Sequence, residues 1–205
     1  MNLKEALDII EQSLDGLEEV PAGDIPDINL YMDQVTTFME SRFRAFTRSP
    51  EEDKIMTKTM INNYAKNNLL PPPVKKKYSK DHMMLLILIY YYKGILSIND
   101  IETLIRPLTE HFGLEDGTLE LEKVYTELIS NGKKQSEKVR KDIEMRVKEA
   151  EKSFPDASEE EQNDLQMLSL ISSLGYDIYL KKLVIGRLLD KMEENTHKNQ
   201  KSNRK

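Results

Sequence analysis

Ten consecutive residues, Met83 to Tyr92 (MMLLILIYYY), are all apolar or aromatic, and they constrain the fold more than any other segment. A run with no polar face cannot lie half in water, so it has to be enclosed on every side. It stops at Lys93, well short of the roughly 20 apolar residues that span a bilayer as a helix. The run is therefore expected as a central helix of a soluble core. Ser79 starts that helix, Asp81 and His82 sit in its first turn, and Gly94 ends it.

A chain of 205 residues can build such a core within one or two domains and needs no cross-links to hold it. Cysteine is absent, which removes disulfides, thiolate metal sites and a cysteine nucleophile. The histidines His82, His111 and His197 share no metal-ligand spacing, and no Gly-rich phosphate loop is present. Neither catalysis, a cofactor nor a metal is expected. Met1 to Asp8 alternates charges instead of leading into an apolar stretch, so no export signal is read and a cytoplasmic location is expected.

Apolar periodicity predicts an all-α, mainly helical chain. Leu3, Leu7, Ile10 and Leu14 make one helical stripe, and a connector with Pro21, Gly23 and Pro26 follows. Tyr31, Val35, Phe38, Met39 and Phe43 mark the next helix, whose end carries Arg42, Arg44 and Arg48. Thr57 is the expected N-cap of a short helix to about Asn67, and Asn68 its left-handed stop. Pro71, Pro72 and Pro73 cannot continue a helix, so residues 71–78 should form a projecting loop or short hairpin. A helix from Ser97 is expected to stop at Pro107.

Beyond a turn at Gly113 to Gly117, two helices are expected, Leu119 to Ile129 and Lys133 to Lys152, the second largely charged. Ser158 and Glu161 make a capping box before a long helix whose apolar residues, from Leu165 to Met192, exceed one packing seam. That surplus can serve a homodimer interface. The polar tail 195–205 reads as disordered. The expected divisions are an N-terminal helix and connector at 1–26, a compact domain at 27–107, a C-terminal helical region at 117–194 and the tail.

Charge is segregated along the chain. The net charge is −6, yet the window Lys54 to Lys80 holds seven lysines and neither Asp nor Glu, so the remainder carries −13. A local excess of lysine is the electrostatic footprint of a nucleic-acid binder, whatever the overall sign.

Thr57 to Pro72 (TKTMINNYAKNNLLPP), Tyr78 before the helix at Ser79, and Gly94 to Ile105 (GILSINDIETLI) together resemble the DNA-binding domain of MerR-type regulators. The wider chain, including Asp27 to Val35 (DINLYMDQV), resembles the bacterial family of domain of unknown function 1836, a name that carries no activity. The MerR resemblance implies a winged helix-turn-helix in which residues 57–67 enter the major groove and residues 73–78 form a wing on the phosphates. The expected contacts with double-stranded DNA are Thr57, Lys58, Thr59, Asn62, Asn63, Lys66, Lys75, Lys76, Lys77 and Tyr78. Asn can pair with adenine and Lys with guanine or phosphate. Asn62 and Asn63 stand where MerR-type proteins have Arg and Tyr, and Lys75 and Lys76 where their wing has Tyr and Arg, so no base preference carries over. The expected function is a DNA-binding transcriptional regulator. A protein-interaction adaptor that keeps the fold without specific DNA binding is the alternative. No membrane partner is expected, and the sequence names no small-molecule effector.

Overall fold

The computed structural model describes residues 2–15, 19–110 and 120–202. Among these the fold is mainly helical, with seven α-helices and one two-stranded sheet. The elements run α1 (Leu3–Asp15), β1 (Leu30–Tyr31), α2 (Met32–Phe43), α3 (Lys58–Lys66), β2 (Lys77–Tyr78), α4 (Lys80–Tyr92), α5 (Ile98–Glu110), α6 (Leu121–Ala150) and α7 (Glu159–Ser202). None of the described helices is long and apolar enough to cross a membrane. The chain divides into two compact units, one of Glu19–Ile129 with Gly186–Lys205, the other of Met1–Glu18 with Ser130–Ile185.

In the first unit the apolar run is the central helix α4, with every side chain from His82 to Ile89 buried. Ser79 caps it, and its N–H donates to His82 Nδ1 at 3.1 Å. Around α4 pack Val35, Met39 and Phe43 of α2, Ile61 and Tyr64 of α3, and Ile101 and Ile105 of α5. Tyr125 of α6 joins the same core, its hydroxyl donating to the Val20 carbonyl at 2.6 Å. Burial and that neighbourhood push the Tyr125 phenol well above its ordinary value. A buried tyrosine of this kind keeps its proton and its hydrogen bond.

The second unit has its own core, formed by Leu3 of α1, Val147 and Ala150 of α6 and Leu170 of α7, with Leu7, Ile143, Met167 and Leu174 against it. Arg146 of α6 ties two of these helices together. Its guanidinium binds Asp142 at 2.7 Å, donates to the Ser173 hydroxyl at 2.9 Å and stands 3.6 Å from Asp177.

The structure departs from the periodicity reading in three places. Helix α5 continues through Pro107 to Glu110. A proline this near a helix end forfeits one backbone bond, and the Arg106–Glu102 pair, with two contacts of 3.0 Å, reinforces the turn before it. Helix α6 is one element of 30 residues through Gly132, where a break before Lys133 was expected. A single interior glycine costs about 1 kcal/mol, which long runs of Glu, Lys and Arg on either side can offset. Helix α7 extends to Ser202, across a segment expected to be disordered. The Thr196 hydroxyl, on the Met192 carbonyl at 3.1 Å, ties the start of that segment to the preceding turn. The expected turn at Gly113 to Gly117, and His111, lie outside the described residues.

Candidate nucleic-acid interface

Helix α3 is built as its sequence dictates. The Thr57 hydroxyl accepts from Met60 N–H at 3.2 Å, which satisfies one free amide of the first turn. At the other end Asn68 takes φ 57°, and Leu69 N–H reaches back to the Tyr64 carbonyl at 2.9 Å. This is a Schellman stop with Asn in the left-handed position. Ile61 and Tyr64 are buried, whereas Lys58, Thr59, Asn62, Asn63 and Lys66 all face solvent. Five of the ten expected contact residues therefore share one exposed flank, and Thr57 is committed to its cap.

The segment expected to form a wing is a tight hairpin. Val74 and Lys77 exchange both backbone hydrogen bonds, at 3.1 and 3.0 Å, across a two-residue tip of Lys75 and Lys76. Both tip residues have positive φ, 51° and 63°. Such a turn matches strand twist but favours Asn-Gly, because a Cβ is strained in the left-handed region. Two lysines held there project their charges into solvent at a local conformational cost. Residues Lys77–Tyr78 then pair antiparallel with Leu30–Tyr31, in the register Leu30 with Tyr78 and Tyr31 with Lys77.

Tyr78 does not belong to the exposed face. It is buried and stands edge-on to His82, with ring centroids 5.5 Å apart, so it anchors the wing to α4. His82 extends that anchor. Because Nδ1 accepts from Ser79, the neutral ring carries its proton on Nε2, and the backbone of Pro71 and Pro72 lies close enough to favour the protonated form. Burial holds the His82 imidazole below its ordinary pKa, outweighing that backbone and Asp81, which favour the charged form.

The junction of β1 and α2 brings helix α3 and this hairpin together. Tyr31 lies under Lys77, whose Nζ is 5.0 Å from the ring centroid, and Asp33 forms an ion pair with Lys58 of α3. Within three residues, the end of β1 and the start of α2 touch both lysine-bearing elements. The charge pattern along the chain reveals neither contact, because Tyr31 and Asp33 lie outside the lysine window that begins at residue 54. Their position in the segment Asp27 to Val35 is the signal that could have found them. Lys80, at the other end of the window, is drawn off to Glu122 at 2.8 Å. Lys66, Lys75 and Lys76 remain on the solvent side.

Arg44 supports this face without joining it. It pairs with Glu40 and donates to the carbonyls of Pro50 and Asp53, which pins the irregular segment between α2 and α3. Among the described residues no group of three or more His, Asp or Glu is placed to hold a metal ion.

In comparisons with known proteins, a family model matches residues 20–128, described as a domain of unknown function (DUF1836). No curated protein and no solved structure matches the chain.

Proposed function

The chain belongs to this family, whose description assigns no activity, and from its geometry we propose that it is a DNA-binding regulator with a MerR-like winged helix-turn-helix. In this reading α3 enters the major groove with Lys58, Thr59, Asn62, Asn63 and Lys66, and the Lys75–Lys76 tip meets the phosphates. The observation that carries it is the double contact at the β1–α2 junction, Tyr31 to Lys77 and Asp33 to Lys58, which sets hairpin and helix on a common support. An exposed helix flank beside a cationic hairpin offers what a duplex asks for, a rod for the groove and charge for the backbone.

Fluorescence anisotropy with labelled duplex, titrated across salt concentrations, tests the proposal. Binding should weaken steeply with salt, and replacing Lys75 and Lys76 by Ala should lower the log–log slope by about 1.8, or about 0.9 per lost phosphate contact. No binding to any duplex at low salt would reject it. The Asp33–Lys58 pair also shows that this face accepts a carboxylate, which favours the adaptor reading with an acidic protein as partner. In that case an acidic polypeptide would compete at least as well as duplex, and the Lys75 and Lys76 changes would leave its affinity intact.

A further inference from the structure

On the part of α7 that belongs to the second unit, the inner face, Met167, Leu170 and Leu174, serves the core with α1 and α6. The remaining surface is also apolar. Leu168, Ile171, Tyr176, Ile178, Tyr179 and Leu183 are each between 49% and 63% exposed. At roughly 200 Å² per side chain they present on the order of 700 Å² to water. About half of it comes from Leu168, Ile171 and Ile178, and single chains rarely expose so large an apolar surface without a use for it.

The order of residues identifies the partner. Positions 164, 168, 171, 175, 178 and 182 alternate in steps of four and three, the spacing that keeps one helical stripe against another helix. The stripe reads Asp164, Leu168, Ile171, Gly175, Ile178, Lys182 and is complementary to its own reverse. Turned about a two-fold axis near Ser173, Asp164 meets the partner's Lys182, Leu168 meets the partner's Ile178, and Ile171 meets the partner's Gly175. Such reciprocal pairing is what an isologous interface requires. Asp164, Gly175 and Lys182 are all exposed.

Gly175 adds an independent observation. A Cβ built there would meet nothing within 4 Å, so no contact inside the chain calls for the weakest helix former short of proline. The missing side chain leaves room for the incoming Ile171. A parallel pair in register would instead oppose Asp164 to Asp164 and Lys182 to Lys182.

We infer that two copies of this chain associate antiparallel through this stripe of α7. The interface uses none of the residues of the basic face, so it stands or falls separately from DNA binding.

Light scattering on the purified full chain at micromolar concentration should give twice the 23.9 kDa chain mass. Ile178→Glu should give the monomer with an unchanged helical circular dichroism signal, and Gly175→Leu should do the same with a helical signal that is equal or stronger. Asp164→Lys and Lys182→Glu should each weaken the dimer several-fold, and the two together should restore it. A monomeric parent chain overturns the inference, and flotation of that monomer with anionic lipid vesicles would assign the face to a lipid surface. A dimer that survives Ile178→Glu, or one that the double charge reversal fails to restore, overturns the antiparallel stripe.

Discussion

Lys75 and Lys76 hold a conformation that their side chains disfavour, and this gives stability and binding opposite responses. Replacing the pair with Asn-Gly should stabilise the chain by about 1 kcal/mol, a rise of roughly 2–4 °C in Tm, because the same turn is then adopted without a strained Cβ. The same change should weaken duplex binding and lower its salt slope, since two phosphate contacts go with the lysines. Calorimetry and anisotropy on one variant check both signs. His82 sets a second residue-scale response. Its folded pKa is depressed, so protons bind the unfolded chain more readily. The stability that neutral His82 contributes is therefore intact above about pH 6.5 and is lost as the pH falls through the lowered folded value. Below that range Nδ1 carries a proton and can no longer accept from Ser79. The protection factors of the Lys77 and Tyr78 amides, corrected for the intrinsic pH dependence of exchange, should fall on acidification, and His82→Gln should flatten that dependence. Asp33 gives a third response. Asp33→Ala releases Lys58 from an exposed ion pair worth about 0–1 kcal/mol, so stability should barely change. Duplex affinity should rise, with a salt slope steeper by about 0.9.

At the scale of elements, α4 is the support on which the basic face depends. Leu86→Ala should cost about 2–5 kcal/mol by leaving a cavity in the fully buried stretch of α4, with loss of duplex binding measured in parallel. The elements that local chemistry determines were legible in the sequence. Thr57 as cap, Asn68 as left-handed stop and the triple proline as the end of helical structure all follow from rules spanning a few residues, and all are present. Misreadings arose where a local rule met a stronger context. Pro107 and Gly132 lower helix propensity by known amounts, but a strong ion pair or long runs of good helix formers outweigh one unfavourable residue. The candidate site was legible only by halves. The exposed flank of α3 and the lysines of the wing follow from periodicity and charge. That Tyr31 and Asp33 join them depends on a β1–β2 pairing across more than forty residues, which no window along the chain reveals.

For the whole molecule, two separate apolar cores imply separable consequences. Leu170→Ala should destabilise the α1–α6–α7 core by a few kcal/mol, yet leave duplex binding by the remaining native protein unchanged, in contrast to Leu86→Ala. The net charge of −6 likewise conceals two regions of opposite character, and the proposed duplex would gain only by approaching the lysines. The carboxylate of Asp33 bears on that approach, because Lys58 reaches any ligand already engaged. A polyanion must evict an incumbent before it gains this cation. Ligands offering one weak anion at a time have little with which to do so, whereas a stiff array of phosphates can compensate through several contacts formed at once. Under the proposed DNA-binding function, Asp33 would set an entry threshold that filters for rigidity and charge density before any base is read.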